Sequence, residues 1–171
     1  MIYLRILIRN AQVMSLHKII STLGLIGFSK IAPGTVASLA TSVFSYFILK
    51  YFNIYFAIFF FILSITFGFY STHKYLVEKK ISDPKEVVID EFAGQILAII
   101  ISYFFVKNID NKNLLIIICV NFLLFRLFDI TKIFPVSYFD NIDNAFGVMF
   151  DDIVAGIMAA MSFVIIFRFV L

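Results

Sequence analysis

Five carboxylates sit where apolar runs begin or end. Asp90-Glu91 precede the run Phe92–Val106, Asp129 follows Leu114–Phe128, and Asp151-Asp152 precede Ile153–Leu171. Ionisable groups at membrane depth are costly and are normally paired or functional. Gathered on one side, these acids would repel strongly in a low dielectric, and a divalent cation is the simplest remedy. Hard carboxylate oxygens suit Mg²⁺. The plainer alternative is that each acid favours the macrodipole at a helix N-terminus. That serves Asp90-Glu91 and Asp151-Asp152. It does not serve Asp129, which falls near a helix C-terminus, where negative charge is unfavourable.

Cations accompany these acids. Arg126-x-x-Asp129-x-x-Lys132 places two positive groups on either side of one negative group, at a spacing that puts neighbours on one helix face. The pattern reads either as a salt-bridge ladder, or as a site where Asp129 holds metal while Lys132 and Arg126 hold a phosphate. A further candidate is the segment Ser29-Lys30-Ile31-Ala32-Pro33-Gly34-Thr35, with Ala37-Ser38 opening a helix. Gly34 lets backbone approach a ligand closely. Thr35 or Ser38 can cap the helix, whose free N–H groups suit a phosphate.

Other chemistries find no support. Cys119 is the sole cysteine, which excludes an intrachain disulfide and a cysteine-built metal site. It has no Arg at Cys-x5-Arg spacing and is expected to be a buried, inert thiol. His17 and His73 lack a second histidine at ligand spacing and read as interfacial or solvated side chains. Asn121, in mid-run, is expected to hydrogen-bond to another helix, and Ala155-Gly156-x-x-Ala159-Ala160 permits close helix packing.

The elements that must position these residues are set by composition. The 171 residues suffice for one domain. Apolar residues make up 62% and charged residues 15%, with 23 Phe and a mean hydropathy of +1.01. So little polar surface cannot coat a water-soluble core, so a membrane protein is expected. Five segments can cross or enter a bilayer: Ser38–Phe52, Ile54–Tyr70, Phe92–Val106, Leu114–Phe128 and Ile153–Leu171. Most are shorter than a perpendicular span of ~20 residues, which allows re-entrant helices or local thinning. An open sheet cannot sit in lipid and no barrel-like alternation is present, so the expected fold is all-α, a small membrane helical bundle of about five apolar helices. Residues 1–26 are expected to be an N-terminal interfacial segment, retained, within a single domain spanning 1–171.

Threading the chain through five crossings puts the three acid- and glycine-bearing loops on one side and the plain loop Lys107–Asn113 on the other. Ten of the 14 basic residues fall on the first side, which the positive-inside rule makes cytoplasmic. The net charge of +3 is modest, and there is no basic run interleaved with aromatics, so nucleic acid is not an expected partner.

Taken together, four blocks resemble the signatures of the phosphatidylglycerophosphatase A family. They are Gly27-Phe28-Ser29-Lys30-Ile31-Ala32-Pro33-Gly34-Thr35-Val36-Ala37-Ser38-Leu39, the segment from Asp83-Pro84 through Asp90-Glu91 to Gln95, Phe125-Arg126 through Asp129 and Lys132 to Val136, and Gly147 through Asp151-Asp152 to Gly156. They follow in family order. The resemblance implies hydrolysis of phosphatidylglycerophosphate to phosphatidylglycerol and phosphate, with Mg²⁺, by a multi-pass protein of the bacterial cytoplasmic membrane. Its substrate partner is a phospholipid in the bilayer. Carried over by motif position, the site residues are Asp90, Glu91, Asp129, Asp151 and Asp152, with Lys132 and the Pro33-Gly34-Thr35 turn. Lys30 and Ile133 stand where the family usually has prolines. The alternatives are a phosphatase acting on another phosphorylated lipid, or a non-enzymatic carrier or assembly subunit. Carriers usually place charge near the bilayer midplane and often show inverted repeats, and no repeat is visible here.

Overall fold

The computed structural model describes residues 15–106 and 109–170. The expected interfacial stretch Met1–Met14, with Arg5 and Arg9, lies outside the described residues, as does Lys107. Within them the chain is all-helical. Helix α1 is Leu16–Ser21, followed by a 3₁₀ turn at Ile26–Phe28; α2 is Pro33–Tyr51, α3 Ile54–Lys79, α4 Ile89–Phe105, α5 Asn111–Thr131, α6 Val136–Asp140 and α7 Ala145–Val170.

All five expected apolar segments fall on helices, each longer than its apolar stretch, although Phe52 and Val106 lie just past the ends of theirs. Local signals set the ends. Asn53 and Asp110 accept from Tyr55 N and Asn113 N at the starts of α3 and α5. Asn144 Oδ1 accepts from Phe146 N and Gly147 N at the start of α7. That cap starts α7 six residues before Asp151, so Asp151 and Asp152 lie in its second and third turns and do not open it. Helix α2 starts with Pro33 in its first turn, a position that suits proline, after Ala32 in the left-handed region at φ 42°. Neither Thr35 nor Ser38 caps it. The Ser38 hydroxyl instead donates to Gly34 O, 2.8 Å away, inside the helix.

Three helices, α3, α5 and α7, are long and apolar enough to cross a membrane. Helices of 26 residues such as α3 and α7 extend ~39 Å, enough for a ~30 Å hydrocarbon core. Helices α2 and α4 are shorter. Helix α4 runs through the middle of the bundle, and Ala93, Ile96, Ala98 and Ile99 on it are wholly buried. The bundle is sheathed in exposed Phe47, Phe59, Phe67, Leu123 and Ile165. Small and hydroxylated residues face inward: Ala37, Ser38, Thr41, Ser42 and Ser45 make the buried side of α2. Thr41 and Ser42 hydroxyls donate to carbonyls one turn back, which satisfies them inside their own helix, while the buried Ser45 hydroxyl has no partner.

Asn121 behaves as expected. Its Oδ1 accepts from Ser102 Oγ of α4 at 3.0 Å, and its Nδ2 donates to Ile117 O. Cys119 does not: it is exposed on the outer surface of α5. Hydropathy is the same for a lipid-facing and a core-facing position, so an apolar run alone does not tell which way a cysteine points.

Candidate active site

The site begins with two glycines. A Cβ on Gly94 of α4 would collide with the backbone carbonyl of Asp152, and a Cβ on Gly156 of α7 would collide with the carbonyl of Gly94. The helices therefore touch backbone to backbone, as small residues at a helix crossing allow. Asp90 lies one turn before Gly94, and Asp152 one turn before Gly156. Side chains lean toward the N-terminal turn of a helix, so the close crossing aims both carboxylates into the same space. Glu91 joins them. One carboxylate oxygen from each of Asp90, Glu91 and Asp152 lies within 4.8 Å of the other two. A third glycine makes room on the other flank: a Cβ on Gly34 would collide with Glu91 Oε1.

The two remaining acids have different partners. Asp129 Oδ2 pairs with Arg126 Nη1 at 2.5 Å, and its Oδ1 with Lys132 Nζ at 3.2 Å. Arg126 Nη1 also donates to Ser38 Oγ at 3.3 Å, tying α5 to α2. Asp151 Oδ2 accepts from Lys132 Nζ at 2.5 Å. The five acids thus divide into a close trio, Asp90, Glu91 and Asp152, and a pair, Asp129 and Asp151, bridged by Lys132.

Lys132 has a third carboxylate, Asp140 Oδ1 at 3.3 Å. Asp140 closes α6, which Phe139 holds against Phe146 and Phe150 of α7, with ring centroids 6.2 and 5.8 Å apart. Burial would pull the Lys132 ammonium down, but Asp151, Asp152 and Asp129 outweigh it and hold it above the ordinary lysine range. Lys132 stays charged.

These groups line one cavity of about 700 Å³. Its wall includes Gly34, Asp90, Glu91, Arg126, Asp129, Lys132, Asp151 and Asp152, so eight of the ten residues singled out from sequence meet there. Ser29 and Thr35 are not on that wall. The Ser29 hydroxyl donates to Ile31 O, and Ser29 borders a separate shallow depression with Lys30. Thr35 points away because a helix turns about 100° per residue and Gly34 takes the inward position. Asp83, Lys85, Asp140 and Asp143 also line the cavity. The sequence signal for Asp140 was its place five residues after Pro135, on the acid-bearing side.

The trio fits a divalent cation. Glu91 Oε2 and Asp152 Oδ1 are buried with no hydrogen-bond partner. Among the described residues no lysine, arginine or histidine forms an ion pair with Asp90, Glu91 or Asp152. Unpaired buried carboxylate oxygens are expensive, and a hard cation of matching charge would satisfy them.

Comparison with known proteins decides which family this architecture represents. The sequence model of Phosphatidylglycerophosphatase A matches residues 19–167. The chain belongs to the phosphatidylglycerophosphatase A family. A Haemophilus influenzae protein named Phosphatidylglycerophosphatase A is 35% identical over 131 residues, 76% of this chain and 76% of its own. An Escherichia coli protein of the same name is 31% identical over 136 residues, 78% of this chain and 73% of its own. A Bacteroides thetaiotaomicron protein with the provisional name phosphatidylinositol-3-phosphatase is 32% identical over 144 residues, 82% and 84% of the two chains. No solved structure matches.

Membership makes the chain a phosphatase, and three of its helices are long and apolar enough to cross a membrane. Each of the four family-like blocks supplies part of the cavity wall. The block at Gly27–Leu39 supplies Gly34, that at Asp83–Gln95 supplies Asp90 and Glu91, that at Phe125–Val136 supplies Arg126, Asp129 and Lys132, and that at Gly147–Gly156 supplies Asp151 and Asp152.

Proposed function

We propose that this phosphatidylglycerophosphatase A family member is a Mg²⁺-dependent lipid phosphatase that hydrolyses phosphatidylglycerophosphate to phosphatidylglycerol and inorganic phosphate. It works at the cytoplasmic face of a bacterial cytoplasmic membrane, in phosphatidylglycerol synthesis. The observation that carries the reading is the trio of buried Asp90 and Asp152 with half-buried Glu91, one oxygen from each within 4.8 Å of the others, beside two cations in one cavity.

Asp90, Glu91 and Asp152 would hold the ion, with Asp129 and Asp151 close by. Bound there, Mg²⁺ supplies charge stabilisation to the phosphoryl group and activates a nucleophile at neutral pH. Lys132 and Arg126 neutralise phosphate oxygens, which is the larger part of catalysis in phosphoryl transfer. Asp129 and Asp151 hold the Lys132 ammonium in place, and Asp129 also holds Arg126, so neither cation must be ordered when the phosphate arrives. Gly34 lets α2 approach Glu91 and brings the helix start to the cavity wall. The attacking group is water or an aspartate carboxylate, Asp129 or Asp151. Burst release of the lipid alcohol, with a phosphorylated aspartate trapped on quenching, separates the second route from the first.

A second substrate reading has one specific support, the relative whose provisional name is phosphatidylinositol-3-phosphatase. A cavity of about 700 Å³ has room for a polar head as well as a phosphate. Purified protein assayed with and without Mg²⁺ on phosphatidylglycerophosphate, phosphatidic acid and phosphatidylinositol phosphates distinguishes the two. Preferred phosphate release from phosphatidylglycerophosphate, only with Mg²⁺, is the expected result. Preference for another lipid would move the substrate assignment, and phosphate release unaffected by chelation would remove the metal from the reading.

A further inference from the structure

The cavity that holds the phosphate chemistry shares one wall residue with the lipid-facing surface. Ile130 lines the cavity and is itself 68% exposed. It ends a stripe on α5: Leu115, Cys119, Leu123 and Leu127 recur at four-residue spacing and are all exposed, so they run down one helix face to Ile130. Past Lys132 the chain exposes two more large apolar side chains, Ile133 and Phe134. Lys132 is thus a half-buried cation with exposed apolar groups on both sides of it in the chain.

Such a contiguous apolar surface against a charged cavity has no use toward water. It matches a molecule with an anionic end and a hydrocarbon end. The anion belongs near Lys132 and Arg126, and the hydrocarbon along the α5 stripe, two residues away from Lys132. Of the other large apolar side chains on the cavity wall, Val87 is buried and Ile142 and Val148 are half-buried; the small Ala32 is also exposed, beside Ile31, at the start of α2.

We propose that the Leu123–Leu127–Ile130 stripe, with Ile133 and Phe134, is the docking surface for the acyl chains of the lipid substrate, so that the substrate enters the cavity sideways from the bilayer over Ile130. The inference rests on the lipid-phosphatase reading above and adds the direction of entry and the residues that select for hydrocarbon. It uses burial of apolar chain against apolar side chain for affinity, while the headgroup contacts are left to the cavity.

The test uses the full-length protein in detergent–lipid micelles with a phosphatidylglycerophosphate analogue that carries a photoreactive diazirine in one acyl chain. Adducts are mapped by mass spectrometry with and without excess unlabelled phosphatidylglycerophosphate. Adducts on residues 123–134 that are lost with the competitor are the expected result. Competed adducts on α2 or α3 instead, or labelling of 123–134 that the competitor leaves untouched, would overturn the proposal; the second outcome would make this stripe an ordinary lipid or self-association surface. A kinetic arm runs beside it. The double variant Ile130→Asn, Ile133→Ser raises KM for the long-chain lipid with little change in kcat, while Phe59→Ser, Ile62→Ser on the outer face of α3 leaves KM as it was. Equal KM changes in the two double variants contradict the proposal. Phosphate release by the unmodified protein, measured in the same micelles, reports on the lipid-phosphatase reading separately, because labelling needs binding only.

Discussion

Gly94 and Gly156 meet backbone to backbone where α4 crosses α7, and a methyl group on either would overlap a main-chain carbonyl of the other helix. The contact sets the distance between Asp90 and Asp152, each one turn away. Gly94→Ala or Gly156→Ala must therefore push the helices apart. Overpacking of this kind costs about 1–3 kcal/mol, and it also separates the trio of carboxylates. The expected outcome is a lower melting temperature with a rise in the Mg²⁺ concentration needed for half-maximal activity. A variant that melts lower but keeps its Mg²⁺ requirement would show that the crossing supports the fold without setting the site.

Lys132 binds Asp129, Asp140 and Asp151, which come from three different helices. Lys132→Met leaves these acids without their shared cation and removes a charge aimed at the phosphate. A loss of about 10²–10³-fold in kcat is expected, the size seen when one preorganised charge-stabilising group is removed. Steady-state assays on micellar substrate measure it. Retention of near-normal kcat would place Lys132 outside the reaction.

Asp129→Asn keeps the shape of the side chain but weakens its hold on both Arg126 and Lys132. Mg²⁺-dependent phosphate release should be abolished while membrane insertion, followed by fractionation, is intact. Unchanged activity would remove Asp129 from the site.

How far did the sequence foretell this site? The acids, the cations and Gly34 stood out because charge and glycine are rare in so apolar a chain, and they do converge. The division of the five acids did not stand out. It depends on where Lys132 reaches, and Lys132 ends α5 in a left-handed backbone conformation, φ 46°, that no spacing rule announces. The start of α7 was hidden for a related reason. Apolar periodicity begins near Ile153, but the helix is started by the polar Asn144, which the hydropathy pattern passes over. Ser29 and Thr35 share the Gly34 block, yet Thr35 is turned off the wall by a one-residue step on the helix, and Ser29 lies in the loop before it, donating to Ile31 O. Cys119 pointed outward because lipid and core are equally apolar surroundings.

The Ser102–Asn121 hydrogen bond lies buried between α4 and α5, well away from the acids. Asn121→Leu removes it. Interhelical hydrogen bonds in membrane proteins average about 0.6 kcal/mol, so a small drop in thermal stability with unchanged kcat is expected. A large loss of activity would tie that contact to the site.

The proposed cytoplasmic placement of the cavity takes all five apolar helices as crossings and can be tested by labelling. In a Cys119→Ser background, Lys79→Cys near the cavity end of the bundle and Lys112→Cys at the start of α5 lie at opposite ends. A membrane-impermeant maleimide added to intact cells should label Lys112→Cys and spare Lys79→Cys until the cells are opened. The reverse pattern would place the cavity on the outer face.

The most direct test of the metal site is Mn²⁺ binding, used as a spectroscopic stand-in for Mg²⁺ and read by electron paramagnetic resonance on the purified protein. The unmodified protein should take up Mn²⁺ that Mg²⁺ displaces, and Glu91→Gln and Asp152→Asn should each lose that uptake while remaining folded. Undiminished, Mg²⁺-displaceable binding in both variants would contradict the assignment of Asp90, Glu91 and Asp152 as the cation's ligands.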